Sequence, residues 1–418
     1  MRFTSLNEWL AWQEQLHPSE VDLGLERLDE VFQRGWPPPS FTVITVAGTN
    51  GKGSCVAMLE SILRAAGYNT GAYTSPHLLR YNERVRLNGV AVDDAVLCRA
   101  FERVDQVRGD CSLTYFEFGT LAAIEIFFNA NVDVAILEVG LGGRLDAVNI
   151  LDADGALLST VGIDHCDWLG SDRESIGYEK AAIFRSAAAA VIGDPDPPAS
   201  VRQTAQQLGV ELHCPNQHFS YTMEDDVHWR WQSASRQLSG LSLPCLPGAF
   251  QRRNAAAVLM LLECLSQQLP LTEDQIRVGL MNASAVGRCQ RSEVAGVCHY
   301  YDVAHNAQAA AVLAQELEGT PCAGVTHALF GMLKDKDASA TIRAMSGVID
   351  SWHTVGLDTP RSLSGDELAA VVRRNGIERV QAYAGVKAAY QSLLSQCTKE
   401  DRIVAFGSFY TVAAMLER

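Results

Sequence analysis

Residues 41–47 form an apolar, β-branched run that passes directly into Gly48-Thr49-Asn50-Gly51-Lys52-Gly53-Ser54. Val56, Leu59, Ile62, Leu63 and Ala66 then recur at helical spacing and stop near Gly67. A buried strand, a glycine-rich loop and an amphipathic helix in that order open a βαβ unit, which commits the chain to a mostly parallel sheet. Further strands are expected at 70–74, 132–139, 155–163 and 189–193. Ser171-Asp172-Arg173-Glu174 has capping-box spacing and predicts a helix start. Residues 211–243 read as irregular β structure, Asn254 precedes a strongly apolar helix, and another helix follows Thr272.

The pattern resets near residue 284. Strands are expected at 297–302, 327–331, 354–357, 380–384 and 403–407, with helices at 307–318, 338–346, 365–374 and 386–396. The fold class is α/β: a mostly parallel-sheet, P-loop-type domain over 1–283, followed by a smaller Rossmann-like α/β domain over 284–418.

Composition narrows the function. The chain has 418 residues, 34 Lys plus Arg against 49 Asp plus Glu, and a net charge of −15. That balance argues against nucleic acid and anionic membrane as partners. It leaves room for an anionic small molecule held by local cations and backbone N–H groups. No apolar run approaches the roughly 20 residues of a membrane span, and the first residues lack the basic flank and apolar core of a signal peptide. Eleven cysteines without a C-x-x-C pair predict reduced thiols and a cytoplasmic protein.

The loop from Gly48 to Ser54 suits a polyphosphate. Glycines allow close approach, the helix N-terminus supplies N–H groups, and Lys52 supplies a charge. Its spacing differs from the common Walker pattern, since only Thr49 and Asn50 separate Gly48 from Gly51-Lys52. Glu138 shares a strand face with Val134 and Ile136, where an ionised carboxylate requires a compensating cation. A Mg²⁺ role is favoured over a plain ion pair. His165 is expected at the end of a strand over 157–163, and spacing alone leaves it open between ligand and core histidine. Lys180 aligns with Ile176, Ile183 and Phe184 on one helix face. Pattern alone favours snorkelling, and the alternative is a desolvated amine able to take up CO₂.

The string Val46-Ala47-Gly48-Thr49-Asn50-Gly51-Lys52-Gly53-Ser54 resembles the phosphate loop of the Mur-ligase superfamily. Thr74-Ser75-Pro76-His77-Leu78, Glu138-Val139-Gly140-Leu141-Gly142-Gly143-Arg144-Leu145-Asp146-Ala147 and Asp302-Val303-Ala304-His305-Asn306 narrow the likeness. With Val21-Asp22-Leu23-Gly24-Leu25-Glu26-Arg27, they are similar to the bacterial bifunctional dihydrofolate synthase/folylpolyglutamate synthase family over essentially the whole chain. The chain departs from the family where Ala285-Val286-Gly287-Arg288-Cys289-Gln290 replaces a Leu-Pro-Gly-Arg-Phe-Gln string.

The resemblance implies a ligase that uses ATP and Mg²⁺ to phosphorylate a carboxylate, which the amine of L-glutamate then attacks. The carboxylate belongs to 7,8-dihydropteroate or to the γ-carboxyl end of a reduced folate. It assigns Thr49, Asn50, Gly51, Lys52, Gly53, Ser54, Asn254, Arg288 and Asp302 to ATP, and Ser75, Glu138 and His165 to the metal. Lys180 would carry a carbamate (N6-carboxylysine), making it catalytic with Lys52 and His305. Val21, Asp22, Leu23, Gly24, Thr114, Tyr115, Phe116, Glu117, Leu145, Asp146 and Ala147 would bind the pterin, and Ser408 the glutamate. Simpler structural readings exist for some of these: Asn254 as a cap for the helix it precedes, Asp302 as a cap for helix 307–318, Ser75 as a turn residue.

Three other functions compete. One is a folylpolyglutamate synthase alone. Another is a different amide ligase of the superfamily, such as a cell-wall peptide ligase, although only 47 residues precede Gly48 where those enzymes carry a nucleotide-sugar domain. The third is a nucleotide-binding regulatory module, which would need neither Lys180 on an apolar face nor a second α/β unit. The expected state is a monomer acting on small-molecule substrates.

Overall fold

The computed structural model describes residues 2–19 and 21–417. The chain divides into two compact units. The first comprises Met1–Val161, Asp167–Cys245 and Arg252–Ser284; the second comprises Gly162–Cys166, Leu246–Gln251 and Ala285–Arg418.

The first unit is built on an eight-stranded sheet. In spatial order its strands are Val90–Ala91, Val85–Leu87, Thr70–Tyr73, Val134–Glu138, Thr42–Ala47, Gly155–Leu158, Ala189–Ile192 and Leu212–His213. Val85–Leu87 pairs antiparallel with both Val90–Ala91 and Thr70–Tyr73 at one edge, and every other neighbouring pair is parallel. Val134–Glu138 is buried throughout, as expected of a parallel strand covered on both faces. Its register sets Glu138 beside Val46, two residues before the loop at Gly48.

The helix Lys52–Ala65 leaves that loop and buries Val56, Leu59, Ile62 and Leu63. It packs on the helix Glu273–Asn282 at glycine distance: a Cβ at Gly279 would overlap Ile62 Cα, and Ser61 Oγ donates to Gly279 O at 2.7 Å. Residues 211–243 are better ordered than the sequence suggests. Phe219–Met223, His228–Ser233 and Gln237–Ser242 form a three-stranded antiparallel sheet. Trp229 and Trp231 are buried there, with Trp231 Nε1 donating to Ala256 O at 3.0 Å.

The second unit has a six-stranded sheet in the order Gln290–Val294, Val297–Tyr301, Arg402–Phe406, Thr326–Phe330, Ser351–Val355 and Val380–Tyr383. Only the first pair is antiparallel. Its core gathers Phe330, Trp352, Phe406, Leu368 and Ile342.

Several local expectations are corrected. The strand expected over 155–163 stops at Leu158, because Ser159 and Thr160 turn their hydroxyls to the phosphate loop. His165 therefore lies in irregular chain at φ 52° and not at a strand end. The helix carrying Lys180 is capped by Asp172, not Ser171, and spans Arg173–Ala181, so Ile183 and Phe184 are buried beyond it. Asn254 lies inside the helix Phe250–Cys264 and does not precede it. Asn306, not Asp302, caps Ala307–Gly319. The strand expected at 354–357 is Ser351–Val355. Helices Leu6–Gln13, Glu26–Gly35, Asp94–Arg108, Tyr115–Ala130 and Ala199–Gln207 complete the first unit.

Buried histidines give the fold an acid sensitivity. Burial, then the neighbouring His327 and Arg379, lowers His353 to about 4; burial and Arg84 do the same for His77. Both titrate near 6.5 when unfolded. Between about pH 6.5 and 4 the unfolded chain binds more protons at these sites, so they withdraw stability as pH falls. Asp146, raised to about 6, acts in the opposite sense. The urea midpoint of His353→Gln should therefore fall less between pH 7 and pH 5 than that of the wild type, and equal falls would remove His353 from the account.

Candidate active site

The phosphate loop is fixed from beneath by the chain after Gly155–Leu158. Thr49 N donates to Thr160 O at 2.8 Å and Asn50 N to Thr160 Oγ1 at 3.1 Å. Ser159 Oγ and Thr160 Oγ1 donate back to Asn50 O at 2.7 and 3.0 Å. At Gly48, φ is 145° and the Ser159 hydroxyl fills the volume a Cβ would need, so only glycine fits. Since Thr49 and Asn50 turn their N–H groups into the sheet, the cradle for an anion falls to the first turn of helix Lys52–Ala65. Lys52 Nζ folds back to Gly48 O at 2.9 Å. Asn254, 3% exposed, lies against Gly51: a Cβ there would come within 3.1 Å of its Oδ1. Cys55, in the same helix, is fully buried, and burial pushes its thiol up to about 12.

Lys180 is 5% exposed and its Nζ donates to the same Gly48 carbonyl at 3.3 Å. A lysine from the helix Arg173–Ala181 and the loop lysine thus meet at one backbone oxygen. Glu138, 3% exposed, ends its strand on that sheet edge, where its Oε2 accepts from Ser75 N at 3.3 Å. The Glu138 carboxylate and the Ser75 hydroxyl are oxygen donors of the kind a hard divalent cation takes, so these two residues, joined through the Ser75 N–H, fit such an ion in chemistry. His77 accepts at Nδ1 from Arg84 Nε at 2.9 Å, which makes it a neutral ring.

A second group of residues is joined by a guanidinium that the sequence reading passed over. Arg27 bridges Asp22 at 2.7 Å and both oxygens of Glu117 at 2.8 and 2.9 Å. Thr114 and Glu117 close a capping box at the start of Tyr115–Ala130. Those contacts bring Val21, Asp22, Leu23 and Gly24 to the helix start that carries Tyr115 and Phe116. The Phe116 ring occupies the space left by Gly140, where a Cβ would meet its Cζ at 2.8 Å. Between Leu145 and Ala147, Asp146 accepts from Leu141 N at 2.8 Å and Val148 N at 3.0 Å. Burial outweighs those bonds and raises its carboxyl to about 6.

The second unit holds the remaining residues. Asp302 accepts from Cys289 N and Ala304 N, both at 2.7 Å, and ties the turn at Arg288 to the strand Val297–Tyr301. Burial raises its carboxyl, against the pull of Arg288. Arg288 stands over the Phe409 ring at 5.5 Å. Ser408 is buried, and its Oγ accepts from Thr411 N as the cap of Phe409–Leu416. His305 and His165 both adjoin Asp164, a residue the sequence reading did not select. Burial alone would raise Asp164, but the His305 hydrogen bond and the charges of His305, His165 and Lys336 hold it well below the usual carboxylate range.

Residues 46–262 match the Mur ligase middle domain, and residues 287–409 match the Mur ligase glutamate ligase domain. The dihydrofolate synthase/folylpolyglutamate synthase of Escherichia coli is 42% identical over 414 residues, covering 99% of this chain and 95% of that protein. A structure of Escherichia coli FolC in complex with DHPP and ADP superposes with a TM-score of 0.93 at 41% identity, covering 99% and 97% of the two chains. A bifunctional folylpolyglutamate synthase/dihydrofolate synthase with Mn, AMPPNP and L-glutamate bound gives 0.90 at 42%, covering 99% and 98%.

The Arg27 bridge yields a direct test. Arg27→Ala leaves the Glu117 carboxylate, with a side chain 5% exposed, without its cation. We expect a loss of about 2 kcal/mol of stability by urea unfolding. A wild-type midpoint would show that Glu117 does not need the charge.

Proposed function

The chain belongs to the Mur ligase family, in its dihydrofolate synthase/folylpolyglutamate synthase branch, and we propose that it joins L-glutamate to 7,8-dihydropteroate and to the γ-carboxylate of reduced folates at the expense of ATP. One observation carries the reading: Lys52 and Lys180 meet at Gly48 O on the sheet edge where Glu138 and Ser75 also meet.

The chemistry explains why such a set is needed. A carboxylate is a poor electrophile. When its oxygen takes the γ-phosphoryl group of ATP, ADP departs and the acyl carbon gains a leaving group. The glutamate amine then bonds to that carbon, inorganic phosphate is expelled, and the nitrogen loses a proton. The first step brings two anions together, so cations must offset their repulsion.

Thr49, Asn50, Gly51, Lys52, Gly53 and Ser54 hold the ATP phosphates, with Lys52 swinging from Gly48 O to a phosphate oxygen. Asn254, Arg288 and Asp302 complete the ATP contacts. Ser75, Glu138 and His165 are the residues that would hold Mg²⁺. When bound, that ion neutralises phosphate oxygens and orients them. Lys180 takes up CO₂ as its free amine, losing a proton to become an anionic carbamate suited to a hard cation. Its burial supports that role, because desolvation favours the neutral amine.

The acceptor lies along Val21, Asp22, Leu23, Gly24, Thr114, Tyr115, Phe116, Glu117, Leu145, Asp146 and Ala147. Phe116 offers a ring face to the pterin, and Asp146 can hold or release a proton near neutrality. His305 is the group for the amine proton, and Ser408 lies with the glutamate. The protein is proposed to work as a cytoplasmic monomer. All eleven cysteines are free, and no helix among the described residues is long and apolar enough to cross a membrane.

With ATP, Mg²⁺, dihydropteroate and glutamate all present, purified protein should release ADP and form dihydrofolate; omission of any one should abolish both. No glutamate-dependent ADP release with either acceptor would reject the reading. Chromatography with a reduced folate tests the second activity. Lys180→Ala should lower kcat about 100-fold or more with a small change in melting temperature, and wild-type turnover in that variant would remove the carbamate.

A further inference from the structure

Asp164 and Lys336 form a buried ion pair inside the second unit. Nζ lies 2.6 Å from Asp164 Oδ1 and each side chain is 7% exposed. The other oxygen, Oδ2, accepts from Asn306 Nδ2 at 2.9 Å and lies 3.3 Å from His305 Nε2. Lys336 also lies 3.3 Å from His165 Nε2 and 3.6 Å from Asp335, which Arg361 holds at 3.3 Å. One carboxylate therefore draws together three separate stretches of chain: the segment Gly162–Cys166, the turn before helix Ala307–Gly319, and the loop after strand Thr326–Phe330.

The geometry at His305 is specific. Its Nδ1 faces Val303 O at 2.7 Å while Nε2 faces Asp164. Both ring nitrogens face oxygen atoms, so the ring is held in plane from both sides. Removing Asp164 frees one side of the ring. Removing Lys336 leaves the buried carboxylate without its lysine cation, which costs more than the pair contributes and pulls Asp164 towards its other partners.

We propose that Asp164 and Lys336 are positioning residues of the ligase reaction, acting as one unit that sets the orientation of His305. The inference rests on the ligase reading and adds two residues to it. Neither needs to touch substrate: Lys336 fixes Asp164, and Asp164 fixes the ring.

The test compares the full-length wild type with Asp164→Asn, Lys336→Met and the double variant. Thermal melts give the folded fraction. Glutamate-dependent ADP release gives kcat and the KM for ATP. Nitrogen-15 spectra of the histidine rings, assigned with His305→Gln, report the His305 nitrogens. Each single variant should lose about 100-fold in kcat with ATP KM little changed. The double should lose no more than the worse single, since contacting residues of one unit are non-additive. The His305 ring signature should change in every folded variant. Wild-type kcat in either single, multiplicative losses in the double, losses that only track the folded fraction, or an unchanged His305 signature would each overturn the proposal. A wild type that releases no ADP would sink the ligase reading, while the His305 signature would still decide whether the pair sets the ring.

Discussion

Glu138 ends a strand buried along its whole length, and the parallel pairing of that strand with Thr42–Ala47 delivers its carboxylate to the start of the phosphate loop. A carboxylate that is 3% exposed has lost nearly all its water and must recover the loss from fixed dipoles and cations. The surroundings follow from that requirement. Ser75 N–H points at it, two lysines gather at Gly48 O, and the serine and threonine after the neighbouring strand hold the loop in place. In the proposed reading, an anion kept dry at the sheet edge would hold a metal where the triphosphate docks.

The second unit meets the same problem with a different solution. Asp164 is also buried, yet it is neutralised by a lysine from its own unit and lies against a histidine held at both ring nitrogens. Asp302 takes a third route, accepting two backbone N–H groups while Arg288 stands nearby. Three buried acids thus have three kinds of partner.

Sequence legibility followed the range of the interactions. The loop, its strand and its helix were readable because glycines, a lysine and apolar spacing lie within about two helical turns of one another. The parallel strands of both sheets were readable for the same reason. Local competition was harder to see. Asp172 displaced Ser171 as a cap, and Asn254 fell inside its helix because Phe250 begins the turn earlier. The pairings of Arg27, Asp164 and Lys336 went unnoticed because their partners are distant in sequence. Arg27 pairs with Glu117 and Lys336 with Asp164, and a charged residue read singly looks like solvent-facing surface. The resemblance supplied His165 and Ser408, which spacing could not, and Ser408 already has an adequate structural reason as a helix cap.

Cys55 follows the phosphate loop by one residue and is sealed from solvent, with a thiol titrating far above neutrality. Thiolate is the species that oxidants and electrophiles attack. Sulfur is therefore present beside the proposed nucleotide cradle without lending it any redox character. Peroxide or glutathione imbalance would have to damage such a protein elsewhere before its grip on the triphosphate changed.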